Sequence, residues 1–379
     1  MQEEPTRTQS ASSRTEPYPP WDPVFAYNNL PPVPRERLTT PAVEARCEIA
    51  TRALNTLREA TARYSDPVTL MQTLALVEAQ ASSAIEGIVT SVGDMLKHLG
   101  RPLLSNGADP DADDALRHHN SIIDAWQRRT AEPVGTAMAI RACSTTKGRR
   151  MPVRRGRGTV IAGPRGIIYT PPTGEDRIRS MLDELWRFMR NDTSTHPLVR
   201  MAAGHHQFES IHPFADGNGR TGRLINMLYT NEQELTELPI LSHSRYILRN
   251  RPTYYRLLDS TRKTGDWEPW TLWMLDGVRE TAEWIARTLE HQAAIHGQAI
   301  AQYRQTKPRA TTTSETIRFV CSRLCCRSTD LVNARLAAKP AAALTTLRRI
   351  TDTGILQINP GHTPALFINP KLLELWTGE

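Results

Sequence analysis

The spacing of apolar and polar positions predicts a mainly α-helical protein with two short hairpins. We expect helices across residues 41–99 and at 115–128, joined by a loop at 101–114 that is rich in proline, glycine and aspartate. At 158–172, two β-branched runs flank a Gly-Pro-Arg-Gly turn, which is typical of a β-hairpin. Such a hairpin either supports the fold or recognises an extended partner, and the pattern alone leaves both open.

The end of the chain has its own character after a threonine-rich boundary at 306–314. Its pattern predicts three helices and then two strands, at 315–324, 328–337, 341–353, 354–358 and 365–368. This is the order of a winged helix. The cations of the third helix, Arg348 and Arg349, lie near its C-terminal end, which favours protein contact or dimerisation over DNA binding.

Four regions are therefore expected along the chain. They are an extended or disordered N-terminal arm rich in Pro, Ser, Thr and Glu, an N-terminal helical region, a catalytic core and a winged-helix-like domain, at 1–34, 35–140, 141–305 and 306–379.

Composition narrows the class of protein. The 379 residues are 39% hydrophobic, which is enough for sizeable cores. No apolar run is long enough to cross a bilayer and no signal peptide is recognisable, so we expect a cytoplasmic protein without membrane contact. Cys321, Cys325 and Cys326 raise a zinc alternative, but no fourth ligand has the usual spacing and apolar packing is favoured. Eight Lys/Arg and no acid at 141–166 indicate a solvated loop or a docking surface for an acidic partner or nucleic acid.

The strongest chemical signal is the segment 212–223, His-Pro-Phe-Ala-Asp-Gly-Asn-Gly-Arg-Thr-Gly-Arg. His212 ordinarily titrates near neutrality and is a candidate general base. Asp216 is a hard oxygen ligand of the kind that Mg²⁺ accepts beside phosphate oxygens. Arg220 and Arg223 are three residues apart, share one helix face and suit phosphate oxygens.

The middle of this segment has the composition of an anion cradle. Gly217, Asn218 and Gly219 permit a tight turn in which successive backbone N–H groups converge on a phosphate. The apolar run at 224–228 predicts a helix, so the cradle is expected at its positive end. Phe214 is expected to pin the loop into the core. A Gly/Asn/Asp surface turn is the less specific alternative.

Segment 212–223 matches His-Pro-Phe-x-Asp/Glu-Gly-Asn-Gly/Lys-Arg-x-x-Arg, and on these residues the chain resembles the Fic domain proteins. The resemblance implies a Fic-type helical bundle with a β-hairpin flap. It also implies that AMP moves from ATP, with Mg²⁺, to a Ser, Thr or Tyr hydroxyl of a target protein, releasing pyrophosphate. The roles implied are base for His212, Mg²⁺ ligand for Asp216 and catalytic residues for Asn218 and Arg220. The implied nucleotide-binding residues are Phe214, Gly217, Asn218, Gly219, Arg220, Arg223, Tyr254 and Tyr255.

A second resemblance lies upstream, in a segment at 74–87 with helical composition. Ser82, Glu86 and Gly87 resemble the inhibitory motif Ser/Thr-x-x-x-Glu-Gly/Asn of some Fic proteins. The resemblance implies that Glu86 pairs with Arg223, so that the arginine cannot grip the γ-phosphate and the resting enzyme is weak. In the same family the glutamate also suggests removal of AMP. Taken alone, Glu86 is more typical of a solvated helix end.

The resemblance gives further expectations around the loop. The hairpin at 158–172 corresponds to the flap that aligns a target by strand addition. Tyr254 and Tyr255 resemble residues of the adenine pocket, and adjacent residues of a helix face different sides, so only one is expected to touch the base. Arg262 stands where some relatives carry an adenine-binding asparagine, which leaves the nucleobase open.

Two alternatives to a self-inhibited adenylyltransferase stay open. One is a Fic-fold phosphotransferase, although Gly219 stands where such relatives tend to carry lysine. The other is a DNA-binding regulator with a nucleotide-sensing Fic domain. A homodimer through the terminal domains is a further expectation.

Overall fold

The computed structural model describes residues 20–64, 66–100, 109–156, 158–164, 166–307, 312–359 and 365–378. Helices make up most of these residues, so the expected mainly α-helical fold is confirmed. The first five helices, α1 to α5, lie at Pro41–Ala62, Pro67–Ile85, Val92–His98, Pro110–Arg128 and Thr136–Lys147.

Local capping explains where several of these helices begin. Thr40, Asp66 and Asp109 each accept a hydrogen bond from a backbone N–H of the following helix, and each is followed by a proline in the first turn. Because Asp109 caps α4, that helix begins at residue 110 rather than at 115. The loop predicted at 101–114 is therefore too long at its C-terminal end, and its residues 101–108 lie outside the described part of the chain.

The hairpin predicted at 158–172 is present. Strand β1, Ile161–Gly163, pairs antiparallel with strand β2, Gly166–Tyr169, and we call this unit the flap. Helices α6 to α11 follow at Glu175–Asn191, Pro197–Ile211, Asn218–Glu232, Ser244–Arg249, Arg251–Thr264 and Glu268–Thr306.

Two of these helices form the centre of the main core. All residues of α7 from Leu198 to Ile211 are buried, and most of α8 is buried as well. Long helix α11 packs against α1, and α2 packs against α4 and α9. A helix that is covered on all sides holds its end residues in a fixed place. The junction between α7 and α8, at residues 212–217, is therefore held at both ends by buried helices, while Ala215 and Asp216 within it are exposed.

The C-terminal segment has the predicted order with different ends and two additional elements. Its helices and strands, α12, β3, α13, α14, β4, β5 and α15, lie at Ser314–Cys321, Cys325–Cys326, Ser328–Asn333, Pro340–Thr351, Gln357–Asn359, Leu366–Ile368 and Pro370–Thr377. The strands form an antiparallel sheet in the order β3-β5-β4. Neither β3 nor α15 was predicted, because two-residue strands and a single short helix carry little periodicity. The turn at 360–364 lies outside the described residues.

This segment has a small hydrophobic core of its own and a firm connection to the rest. Ile317, Leu347 and Phe367 are among its buried side chains, together with Tyr303 of α11. In contrast, α15 packs on the main core, where the indole N–H of Trp376 donates to Gln292 at 3.0 Å. The winged-helix assignment stays a prediction.

Residues 20–34 have no helix or strand and lie along the body, with Tyr27 and Leu30 buried. The remainder of the predicted arm, residues 1–19, is outside the described part of the chain. Among the described residues, no helix is long and apolar enough to cross a membrane. Cys321 and Cys326 are buried thiols, and within the described ranges no group of three or more His, Cys, Asp or Glu side chains is arranged to hold a metal.

Candidate active site

The loop between α7 and α8 places His212 at the end of one buried helix and the first turn of the next beside it. His212 is the C-cap of α7 in the left-handed conformation, with φ 49° and ψ 61°. Gly217, with φ 84°, makes the turn into α8. The N-terminal N–H groups of α8 therefore lie at the position predicted for an anion cradle.

The imidazole of His212 is held in its neutral form. Burial, assisted by the positive charge of Arg154, lowers the pKa of His212 to about 4. Its Nδ1 is buried and has no hydrogen-bond partner. An unprotonated imidazole is the form that accepts a proton, so this histidine is suited to act as a base at neutral pH.

Two loop residues hold the loop in its conformation. Phe214 is fully buried and packs near Phe208, so it anchors the loop in the core as expected, and its nucleotide-binding assignment stays a prediction. The amide of Asn218 accepts from the N–H of Phe214 at 2.8 Å and donates to its carbonyl at 2.8 Å. Both side-chain groups of Asn218 thus bond within the loop and stabilise its turn.

Asp216 is the carboxylate available for a metal. Its side chain is 53% exposed and forms an ion pair with Lys147 at 2.6 Å. Burial alone would raise the pKa of Asp216, but the hydrogen bond and charge of Lys147 outweigh it and hold the pKa below its ordinary value. One ionised, accessible carboxylate fits Mg²⁺, which takes one or two protein carboxylates together with phosphate oxygens and water.

The two arginines of the loop are buried and paired. Arg220 is 2% exposed and bonds the carboxylate of Asp114, on α4, at 2.5 Å. Arg117 shares Asp114 at 2.8 Å. The prediction that both arginines are directed at phosphate oxygens is therefore incomplete, because each is also held by a carboxylate from the N-terminal helices.

Arg223 lies against the end of α2. It donates to the hydroxyl of Ser82 at 2.9 Å, to the carbonyl of Ser82 at 2.9 Å and to Oε1 of Glu86 at 2.8 Å. Glu86 is the C-cap of α2, and Gly87, with φ 86°, ends the helix as expected. Charge attraction between Glu86 and Arg223 contributes to a pKa of Arg223 above its ordinary value. Ser82 and Glu86 thus engage Nε and Nη2 of the guanidinium.

Gly219 leaves the space in which the Glu86 carboxylate lies. A Cβ at this position would be 2.3 Å from Oε1 of Glu86 and 2.9 Å from the Arg223 guanidinium. Real Cβ atoms do not approach so closely, so a larger residue here would require the Glu86 carboxylate to move from its present position.

The two predicted adenine-pocket tyrosines differ in exposure. Tyr254 is 2% exposed, and its hydroxyl lies 2.9 Å from Nε2 of His205 in the core, which favours Tyr255 as the one tyrosine expected to touch the base. Tyr255 is 45% exposed and accessible. Arg262 is buried over the ring of Tyr169, at 3.9 Å from the centroid.

Sequence reasoning missed two buried carboxyls beside Arg223. Glu78, on α2, accepts from the hydroxyls of Ser242 and Ser244, and burial raises its pKa to about 7. Glu209, one turn before His212, is also buried, and its pKa is raised to about 7, chiefly by burial. Neither position carries a distinctive local pattern.

Comparison with known proteins agrees with this arrangement. The family model "Fic/DOC family" matches residues 114–230, and "Fic/DOC family N-terminal" matches residues 45–125. Residues 114–230 form a Fic/DOC domain. The first match contains the whole loop at 212–223, and the second contains the segment of Ser82 and Glu86 that covers Arg223. The two halves of the Fic/DOC site therefore come from the two matched regions.

Curated Fic relatives match over short regions. Protein adenylyltransferase Fic of Drosophila virilis is 33% identical over 113 residues, covering 27% of this chain and 23% of the relative. Protein adenylyltransferase Fic of Nematostella vectensis is 27% identical over 128 residues, covering 33% of this chain and 29% of the relative. The alignment thus spans less than a third of these curated relatives.

Solved structures show the Fic fold over a larger part of the chain. A Fic family protein from Desulfovibrio desulfuricans G20 has a TM-score of 0.52 and 20% identity, covering 89% of this chain and 98% of that chain. Fic-1 from C. elegans, residues 134–508, has a TM-score of 0.50 and 18% identity, covering 66% of this chain and 75% of that chain. At these identities the similarity concerns the fold.

Proposed function

We propose that the protein is a self-inhibited protein adenylyltransferase that transfers AMP from ATP to a Ser, Thr or Tyr hydroxyl of a target protein. The observation that carries this proposal is the neutral His212 beside the N-terminus of α8, where Arg220 and Arg223 supply fixed cations. The names of the curated relatives, protein adenylyltransferase Fic, support the same reaction.

In the proposed reaction His212 accepts the proton of the target hydroxyl, whose oxygen attacks the α-phosphorus of ATP. The new P–O bond forms as the bond to the β-phosphate breaks, and pyrophosphate leaves. The N–H groups at the start of α8 and the arginines stabilise the charge on the phosphates. Mg²⁺ bound at Asp216 would neutralise further phosphate charge.

Inhibition follows from the position of Glu86. While its carboxylate bonds Nη2 of Arg223, Glu86 competes with a γ-phosphate for the cation, and Ser82 engages the rest of Nε and Nη2. When the Glu86 contact is removed, a phosphate takes the place of the carboxylate at Arg223. The flap is the proposed docking edge for an extended target segment, since Val160, Ile167 and Ile168 are between 39% and 42% exposed.

The test is transfer of label from α-labelled ATP to protein by wild type, Glu86→Gly, and Glu86→Gly with His212→Ala. We expect weak labelling by wild type, a rise in the single variant and none in the double variant. Label from γ-labelled ATP instead would identify a phosphotransferase. Absence of label from both nucleotides, with specific and salt-sensitive DNA retention that survives His212→Ala, would favour the DNA-binding regulator.

A further inference from the structure

Arg154 binds the backbone on both sides of the catalytic histidine. Its Nη2 donates to the carbonyl of Ile211 at 3.0 Å, and its Nε donates to the carbonyl of His212 at 2.6 Å. Its own backbone N–H donates to the carbonyl of Pro213 at 3.0 Å. One arginine therefore satisfies three consecutive carbonyls at the point where α7 ends.

These carbonyls need an external donor, because the last carbonyls of a helix have no partner within it. The backbone conformation of His212 must also be stabilised, since a left-handed conformation costs a non-glycine residue roughly 1–2 kcal/mol. Such a conformation persists where the surroundings determine it. Arg154 is 6% exposed and thus a buried, fixed donor at this position.

The same arginine acts on the charge of the histidine. After burial, its positive charge is the largest cause that lowers the pKa of His212 to about 4. Burial in turn lowers the pKa of Arg154 to about 10, which leaves the guanidinium charged at neutral pH. The contact therefore keeps the imidazole neutral as well as oriented.

A residue of the flap binds a fourth carbonyl of the same segment. Arg154 precedes β1, and Tyr169, the last residue of β2, donates its hydroxyl to the carbonyl of Ser210 at 2.8 Å. Carbonyls 210 to 213 are thus bound by Tyr169 of the flap and by Arg154, on the segment that leads into β1. A target strand on the flap and the base that acts on it would share one rigid frame.

We propose that Arg154 is a positioning residue, which holds His212 in its left-handed conformation and ties the histidine to the base of the flap. Its kinetic consequence rests on the proposed AMP transfer, but its effect on the histidine does not.

Kinetics are compared in the Glu86→Gly background for Arg154→Lys and Arg154→Met. Lysine keeps the charge but loses the planar fork, and methionine loses both. We expect kcat to fall roughly 100-fold, the effect of about 1 Å of misplacement, with KM for ATP within about twofold. The matched control is Arg200→Lys, because Arg200 is also 6% exposed and binds the carbonyl of Met189 at 2.8 Å, away from the loop. Its kcat per folded molecule is expected to stay that of the parent.

A second measurement is independent of nucleotide. The pKa of His212 is followed by NMR, with the signal assigned by its loss in His212→Ala. Loss of the neighbouring charge in Arg154→Met is expected to raise that pKa, whereas Arg154→Lys keeps it low. If Arg154→Met does not fold, the kcat of Arg154→Lys tests the proposal.

The proposal is overturned if the folded variants keep kcat within twofold of the parent, or if Arg154→Met leaves the His212 pKa unchanged. It is overturned as well if Arg200→Lys lowers kcat equally, since that indicates a general loss of stability. Absence of AMP transfer in the parent would refute the proposed function alone, and the NMR titration would still decide the positioning role.

Discussion

Replacement of Glu86 is the most direct perturbation of the site, since it changes one contact of a buried cation. Oε1 of Glu86 accepts from Arg223 at 2.8 Å, where the arginine side chain is 1% exposed and the glutamate side chain 36% exposed. The two contacts of Arg223 with Ser82 remain in the variant. The arginine therefore stays in place but loses the competitor of a phosphate.

The expected gain follows from the strength of that contact. A hydrogen bond between charged groups contributes roughly 1.5–3 kcal/mol, and about 1.4 kcal/mol is a tenfold change, so Glu86→Gly should raise AMP transfer roughly 10- to 100-fold. Partial exposure of Glu86 favours the lower part of this range through solvent screening. Glu86→Gln keeps the size but not the charge and should give a smaller rise.

The assay is initial-rate labelling with α-labelled ATP at saturating nucleotide, normalised to folded protein. Arg223→Ala in the Glu86→Gly background should remove the gain, because the released guanidinium is what binds the phosphate. Equal rates for wild type, Glu86→Gly and Glu86→Gln would refute the inhibitory role of Glu86. A gain that survives Arg223→Ala would show that the glutamate acts on a different group.

Three further predictions concern neighbouring residues. Gly219→Ala should displace Glu86, because the added Cβ would lie 2.3 Å from Oε1. The activating effects of Gly219→Ala and Glu86→Gly should therefore be non-additive in a double-mutant cycle, and additive effects would contradict this contact. Tyr255→Ala should raise KM for ATP, whereas Tyr254→Phe should leave KM unchanged and lower the free energy of unfolding by about 1 kcal/mol, because the bond to His205 is lost. The reverse result in kinetics and thermal unfolding would exclude an adenine pocket at the exposed tyrosine. In the pH profile of kcat/KM, the acid limb should lie near the His212 pKa of about 4 rather than near 6.5, because the imidazole is unprotonated at all pH values above its pKa. An acid limb near the ordinary histidine value would argue against His212 as a neutral base.

Several features followed from short stretches of sequence alone. The loop at 212–223 is contiguous, so the types of its residues and their helical spacing were sufficient to predict a base, a metal-binding carboxylate and a cradle at a helix start. The pairing of Glu86 with Arg223 was implied by the resemblance of Ser82, Glu86 and Gly87 to the inhibitory motif, and their spacing alone favoured a solvated helix end. The helical content and the flap were predictable because periodicity and turn residues are local properties.

The surroundings of individual site residues were less predictable. Asn218 and Tyr254 carry polar groups that match a nucleotide site, yet both side chains are buried, and the amide of Asn218 bonds within the loop. Burial depends on what packs around a residue. No local pattern reports it for a single position.

The tertiary structure decided which distant groups complete the site. Asp114 meets Arg220, Lys147 meets Asp216, and Arg154 meets the backbone of His212, each across a long stretch of chain. In the sequence, Lys147 and Arg154 belong to a basic cluster that indicated a docking surface or a solvated loop. The physical reason is that the packing of helices determines which groups a charge meets, whereas local sequence determines only the helix on which the charge lies.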